Sequence, residues 1–241
     1  MKIRQGFVSN SSSSSFVLVT TKVNYDKVLE IYGPKGTKSK INYMFKAFEF
    51  DQSKIELKII EITKGKIFEN DDYLLETLPL EHGVESLGFN FIEKDRRKIE
   101  MSKAKKLNLK EGIELGKLQE GNIITLNGKK IKPDDVSYII KGKKVSFVSD
   151  TLICKNAYKL AQNADLLVSE ATYHSDLESK GEEYFHMTAK QAASIANKSN
   201  VKELVLTHIS ARYKDSKDVE DDAKDVFEAV RCAYDLMKIK I

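Results

Sequence analysis

Tryptophan is absent from the 241 residues, and there are only two cysteines, three prolines and four histidines. No apolar run comes near the roughly 20 residues that a bilayer-spanning helix needs; the longest, such as 16–19 and 204–206, are a fraction of that. Lys2 and Arg4 could open a secretory signal, but the serine run at 11–15 removes the apolar segment that must follow. Cys154 and Cys232 stand alone, with no Cys-x-x-Cys pair and no disulfide framework, so a reducing, cytoplasmic setting is expected. Both read as buried or half-buried apolar side chains. Charge of one sign is also lacking: 40 Lys and Arg against 36 Asp and Glu leave a net charge of +4. That balance permits nucleic-acid binding without arguing for it, and the basic clusters at 96–98 and 141–144 read as solvated faces. A chain that is 41% hydrophobic and 32% charged is neither collagen, nor a coiled-coil rod, nor wholly disordered.

What is present is organised in two halves. Residues 1–27 read as a Ser-rich leader with one replacement strand at 16–20. From residue 28 the chain reads as globular. The apolar run 28–31 closes on the turn Gly33-Pro34-Lys35-Gly36, and 55–62 and 73–80 read as strands. Asn127-Gly128 between strand formers predicts a hairpin, and Gly65 a further turn. Residues 102–109 predict a helix running into a charged, glycine-punctuated stretch, 111–121, that reads as a mobile arm. The second half alternates: strands at 145–148, 166–168 and 204–207, helices at 155–162, 188–198 (N-capped by Thr188) and, for the most part, 218–237. This alternation predicts an α/β layered sheet.

The chemistry-bearing residues follow the strands. Asp150, Glu170, His208 and His82 each stand one to three residues beyond an apolar run, where α/β sheets bind ligands. One such residue is a turn former; four point to a metal or phosphate site. The four histidines, His82, His174, His186 and His208, are far apart, so any metal site is assembled from distant segments. His174, in a polar stretch, reads as a surface residue.

At these residues the chain resembles tRNase Z (ribonuclease Z), the metallo-β-lactamase-fold endonuclease that removes 3′ trailers from tRNA precursors. The matching segments begin with Leu80-Glu81-His82-Gly83-Val84-Glu85-Ser86-Leu87-Gly88-Phe89 and Glu93-Lys94-Asp95-Arg96-Arg97-Lys98. Ser149-Asp150-Thr151, Ser169-Glu170-Ala171-Thr172, His186-Met187-Thr188 and Thr207-His208-Ile209-Ser210-Ala211-Arg212-Tyr213 complete the set. The resemblance runs from about residue 28 to the end and excludes the leader. It implies an αββα sandwich, two zinc ions, a tRNA precursor as substrate and a homodimer. It implies His82, Asp150 and His208 as metal ligands, with Asp150 bridging. His186 would act in catalysis, oriented by Glu170; Thr188, Ser210 and Arg212 would contact RNA phosphates. Residues 102–121 would correspond to the arm that grips the tRNA elbow, and 233–241 to a C-terminal strand with core Ile and Leu.

The sequence departs from the family in one large respect. The family's HxHxDH motif belongs upstream of the match, and no histidine precedes His82. The expectation is therefore an N-terminally incomplete fold whose metals keep two protein ligands each, weak or partial zinc occupancy, and a nuclease that is impaired alone. A partner chain carrying HxHxDH would complete it. The alternatives are a non-catalytic tRNA- or RNA-binding paralogue and a truncated chimeric product. Smaller departures are Ser169 for a histidine, Met187 for a small hydroxyl residue, and Gly112-Ile113 for Gly-Pro in the arm.

Overall fold

The computed structural model describes residues 17–19, 28–48 and 56–241. The rest of the leader, with the ends of the expected strand at 16 and 20 and the start of that at 55, lies outside them. The chain divides into two compact units: 1–70, 74–92 and 144–241 form one, 71–73 and 93–143 the other.

In the first unit β1 (Val17–Val19) pairs antiparallel with β2 (Leu29–Gly33), and β2 pairs parallel with β3 (Leu57–Glu61). The crossover between β2 and β3 carries α1 (Thr37–Ala47). Its entry is the expected turn: Gly36 takes φ 89°, which suits glycine, and Thr37 Oγ1 donates to the Pro34 carbonyl at 2.6 Å. Next come β4 (Gly65–Glu69), β5 (Tyr73–Leu80) and β6 (Ser86–Glu93).

The second unit contains β7 (Arg96–Ile99), α2 (Met101–Lys106), α3 (Ile113–Gln119), β8 (Ile124–Leu126), β9 (Lys129–Ile131), α4 (Pro133–Val136) and β10 (Ser137–Ile140). β8 and β9 form the hairpin expected at Asn127-Gly128, where both turn residues have positive φ. Residues 111–121 hold α3, a helix absent from the sequence reading; its Leu115 and Leu118 are buried with Ala104, Ile124 and Val136 in a small core.

The first unit resumes with β11 (Lys144–Val148), α5 (Lys155–Ala161), β12 (Leu166–Glu170), a 3-10 turn (Ser175–Leu177), α6 (Glu178–Tyr184), α7 (Ala189–Lys198), β13 (Glu203–Thr207), α8 (Lys217–Lys224) and β14 (Val230–Cys232). Its large sheet runs β14-β13-β12-β11-β6-β5-β4. β11, β12, β13 and β14 are parallel, and β6 is antiparallel to β11. This is a mixed α/β architecture around one large sheet, as the resemblance implies.

Period-two patterning explains the central strands. Leu167, Leu204 and Leu206 share one core with Leu160 of α5, Ile195 of α7 and Val219 of α8. Leu166 and Val205 face the other way and are 3% and 1% exposed, so both faces are covered, as parallel strands require. Burying each such leucine contributes on the order of 1.5–3 kcal/mol. Cys154 and Cys232 are both buried.

The carboxy-terminal segment corrects two expectations. The helix expected over 218–237 ends at Lys224, and the chain re-enters the sheet as β14. Cys232 N–H donates to Glu220 Oε2 at 2.8 Å and its backbone pairs with Leu206, which fixes this strand beside β13. The final strand is therefore 230–232 and not 233–241. Leu236, expected in the core, is 95% exposed, and Ile241 is exposed as well.

Candidate metal centre

Parallel pairing aligns the carboxyl ends of β11, β12 and β13: Glu170 closes β12, and the turns beyond β11 and β13 carry Asp150 and His208. His82 reaches the same end from the turn between β5 and β6. Backbone bonds lock these turns together. Leu152 N–H donates to the Glu81 carbonyl at 2.7 Å, and Glu81 N–H donates to Thr151 Oγ1 at 3.0 Å. Ala171 N–H donates to the Thr207 carbonyl at 2.9 Å, and Ser210 N–H to the Thr172 carbonyl at 3.1 Å. The His186 segment is held by a parallel bridge between Tyr173 and Thr188 and by the close approach of Gly181, where a Cβ would lie 2.8 Å from the His186 carbonyl oxygen.

Asp150, His186 and His208 converge so that one donor atom of each lies within 4.8 Å of the others. The His186 ring lies 5.1 Å from that of His208, stacked, and 5.0 Å from that of His82. Of the five residues expected to serve the metal or the reaction, Asp150, His186 and His208 form this cluster, the His82 ring lies beside His186, and Glu170 bonds to His186. His186, expected in catalysis, sits among the metal-competent donors themselves.

Beneath this cluster Glu170 is fully buried. Its Oε1 accepts from Thr151 N–H at 2.7 Å and faces His186 Nδ1 at 3.0 Å; its Oε2 accepts the Thr172 hydroxyl at 2.7 Å and Thr172 N–H at 3.3 Å. Thr172 Oγ1 also lies 2.8 Å from His208 Nδ1. Because that hydroxyl proton goes to Glu170, the second bond requires His208 Nδ1–H to donate. The carboxylate likewise requires His186 Nδ1–H. The Phe185 carbonyl, 2.8 Å from His82 Nδ1, requires the same of His82. Three imidazoles are thereby held in one tautomer with the Nε2 lone pair available, the arrangement that metal-ligating histidines adopt. One carboxylate and three oriented imidazoles suit a divalent cation of borderline softness.

Electrostatics favours the same partners. Burial alone would push the His186 imidazole down, but the Glu170 hydrogen bond, the Glu170 charge and the Asp150 charge outweigh it and hold its pKa above the ordinary value.

A beta-lactamase superfamily domain model matches residues 86–209. The ribonuclease Z of Methanosarcina mazei is 36% identical over 216 residues, which span 88% of this chain and 70% of that protein. The chain belongs to the ribonuclease Z family. The ribonuclease Z of Bacillus thuringiensis is also 36% identical, over 88% of this chain and 71% of its own length. Among solved structures, the short form of human tRNase Z matches with a TM-score of 0.58 and 21% identity over 90% of this chain and 69% of that one. The metallo-beta-lactamase fold protein YhfI of Bacillus subtilis matches with a TM-score of 0.54 and 18% identity, and this chain spans 63% of its length.

The remaining residues expected from the ribonuclease Z resemblance are distributed as follows. Thr188 is buried, and its Oγ1 accepts from Gln191 N–H at 3.3 Å as the N-cap of α7. Arg212 is exposed, stacks its guanidinium 4.8 Å over the Tyr173 ring and donates through Nε to Ser210 Oγ at 3.0 Å. Ser169 is buried and donates to the Glu170 carbonyl at 3.0 Å. His174, expected at the surface, is half-buried: it caps the 3-10 turn, and its Nε2 lies 3.4 Å from buried Asp222. Thr151, Thr172 and Phe185 were missed as site-builders, because their contribution is a partner for another side chain and leaves no spacing signature.

Proposed function

We propose that this chain is a tRNase Z-like endoribonuclease that removes 3′ trailers from tRNA precursors by metal-assisted phosphodiester hydrolysis. The observation that carries the reading is the Asp150–His186–His208 cluster, its imidazoles oriented from below by Glu170 and Thr172, in a chain of the ribonuclease Z family. A zinc ion held by Asp150, His186 and His208, with His82 beside them, would keep an open position, supply a polarised water there and neutralise developing charge on the phosphate. Glu170 holds His186 in the tautomer that presents Nε2 to the site. Arg212, with Ser210 accepting from it, offers a guanidinium for a flanking phosphate; Thr188 fixes the start of α7 and so the adjoining His186 segment. The second unit supports an RNA partner: residues 93–143 hold 14 Lys and Arg against 8 Asp and Glu.

The donor set is small for two ions, since a catalytic zinc uses about three protein ligands each. We propose weak or partial zinc occupancy for this polypeptide alone, with a homodimer or a chain carrying HxHxDH raising it. Metal content after gel filtration checks this, and two tightly held zinc ions per chain with no partner present would refute it.

The deciding experiment is cleavage of a 3′-extended tRNA precursor with added zinc or manganese, beside His208→Ala. Cleavage at the trailer boundary that His208→Ala abolishes is the expected result, at a low rate. RNA binding with no cleavage by either protein, at saturating metal, would replace the enzyme with a non-catalytic tRNA-binding protein.

A further inference from the structure

Phe185 ends helix α6 in the left-handed conformation, φ 61° and ψ 45°. Helices commonly close on such a residue, but glycine is the side chain that does so without strain; a Cβ there costs on the order of 1–2 kcal/mol. Burial does not offset that cost in full, because Phe185 remains 43% exposed. Its carbonyl is already committed to His82 Nδ1, and that contact needs no aromatic side chain. The ring stands edge-on to the His82 imidazole, 6.3 Å between centroids, and rests on Gly83, where a Cβ would come within 3.4 Å of it. Together with Val84, Leu152, Leu80 and Glu85 it lines a depression of about 510 Å³. Val84 is exposed at 41%, and with the exposed Glu81 and Glu85 it forms an open rim around the apolar floor. A strained backbone that keeps an incompletely covered aromatic beside a reactive cluster is the kind of outlier that points to a ligand.

We infer that this depression is a nucleobase site in which Phe185 stacks the base next to the phosphate held at the Asp150–His186–His208 cluster. The inference rests on the proposed function, because it takes the occupant to be an RNA strand. The His82 ring touches both places: it is 5.0 Å from His186 on one side and borders the depression on the other. A phosphate at the cluster therefore brings an adjoining base to Phe185. The site takes a base by its face, so stacking without hydrogen-bond readout makes it tolerant of sequence.

The test uses two 3′-extended tRNA precursors, each with 2-aminopurine on one side of the cleavage point, mixed with the full-length protein in a stopped-flow fluorimeter. One of the two probes is quenched on binding to the unaltered protein and to Phe185→Tyr. Phe185→Leu, which keeps the apolar bulk and the backbone strain, loses the quench and weakens binding by about 5- to 150-fold, the range that base–aromatic stacking supplies. Phe185→Gly also loses the quench, and relief of strain leaves its thermal stability equal or higher. Equal quenching by Phe185→Leu and the unaltered protein overturns the stacking site and leaves the proposed function standing. Failure of the unaltered protein to bind either RNA overturns both.

Discussion

Thr172 has a single hydroxyl proton, and Glu170 receives it. Everything that follows for His208 depends on that: its Nδ1–H must donate to the same oxygen, and its Nε2 stays open. Thr172→Val keeps the shape of the side chain but leaves Glu170 Oε2 with only the longer Thr172 N–H bond of 3.3 Å and frees the ring. Metal affinity is expected to fall by about 10- to 100-fold, the usual cost of losing such a partner. Thr172→Ser restores it, and ¹⁵N shifts of the His208 ring in the metal-free protein report the tautomer directly. An unchanged affinity in Thr172→Val would remove Thr172 from the site. A second consequence concerns pH. The folded-state pKa of His186 is raised above 6.5, so the metal-free fold binds a proton more tightly than the unfolded chain does. The resulting stabilisation is complete below pH 6.5 and is lost as pH rises through the folded value. Melting curves in chelator from pH 5.5 to 8 should show this fall, and His186→Asn should flatten it. Metal binding runs the opposite way, weakening as pH drops, because the cation competes with that proton.

At the scale of the elements, α7 illustrates what a sequence makes plain. Thr188 followed three residues later by Gln191 forms a capping box, with Gln191 Oε1 accepting from Thr188 N–H at 3.0 Å. Thr188→Ala is expected to cost about 0.5–2 kcal/mol in denaturant titrations, with Thr188→Ser largely neutral. The parallel strands were equally legible, because β-branched and leucine runs bounded by turns have few other uses. The segment after α8 was not. Val219, Ala223, Val226, Phe227 and Val230 recur at helical spacing and pack against one core, so the pattern continues as a helix while the chain leaves it. Edge pairing with β13, a long-range contact, overrides the local period there. α3 was hidden for the opposite reason: a seven-residue helix with two buried leucines is too short to display a period. In the site, His82, Asp150, Glu170 and His208 could be picked out by their position after strands, whereas Thr151 and Thr172 could not, because a threonine there reads as an ordinary turn residue.

For the molecule as a whole, a net charge of +4 conceals an uneven distribution. Residues 93–143 carry a clear basic excess, and Lys105 and Lys106 on α2 are exposed. If RNA is gripped there, Lys105→Glu/Lys106→Glu should weaken precursor binding at 100 mM salt. It should also lower the slope of log affinity against log salt by about 2, roughly one per phosphate contact. Zinc uptake should not change, since every donor lies in the other unit. A double variant whose salt slope matches the unaltered protein would move the RNA contact elsewhere. Among the described residues no helix is long and apolar enough to cross a membrane.

The clustered donors are also remote from one another along the chain: 150, 186 and 208 each belong to a different turn, and no two become neighbours until parallel strands separated by a helix have docked. Parallel pairing of this kind forms late, after long loops have closed. A cation in the refolding buffer would therefore find no chelating pair to nucleate upon. Zinc should leave the refolding rate nearly unchanged and slow unfolding instead, acting as a latch on a finished sheet and not as a template for it.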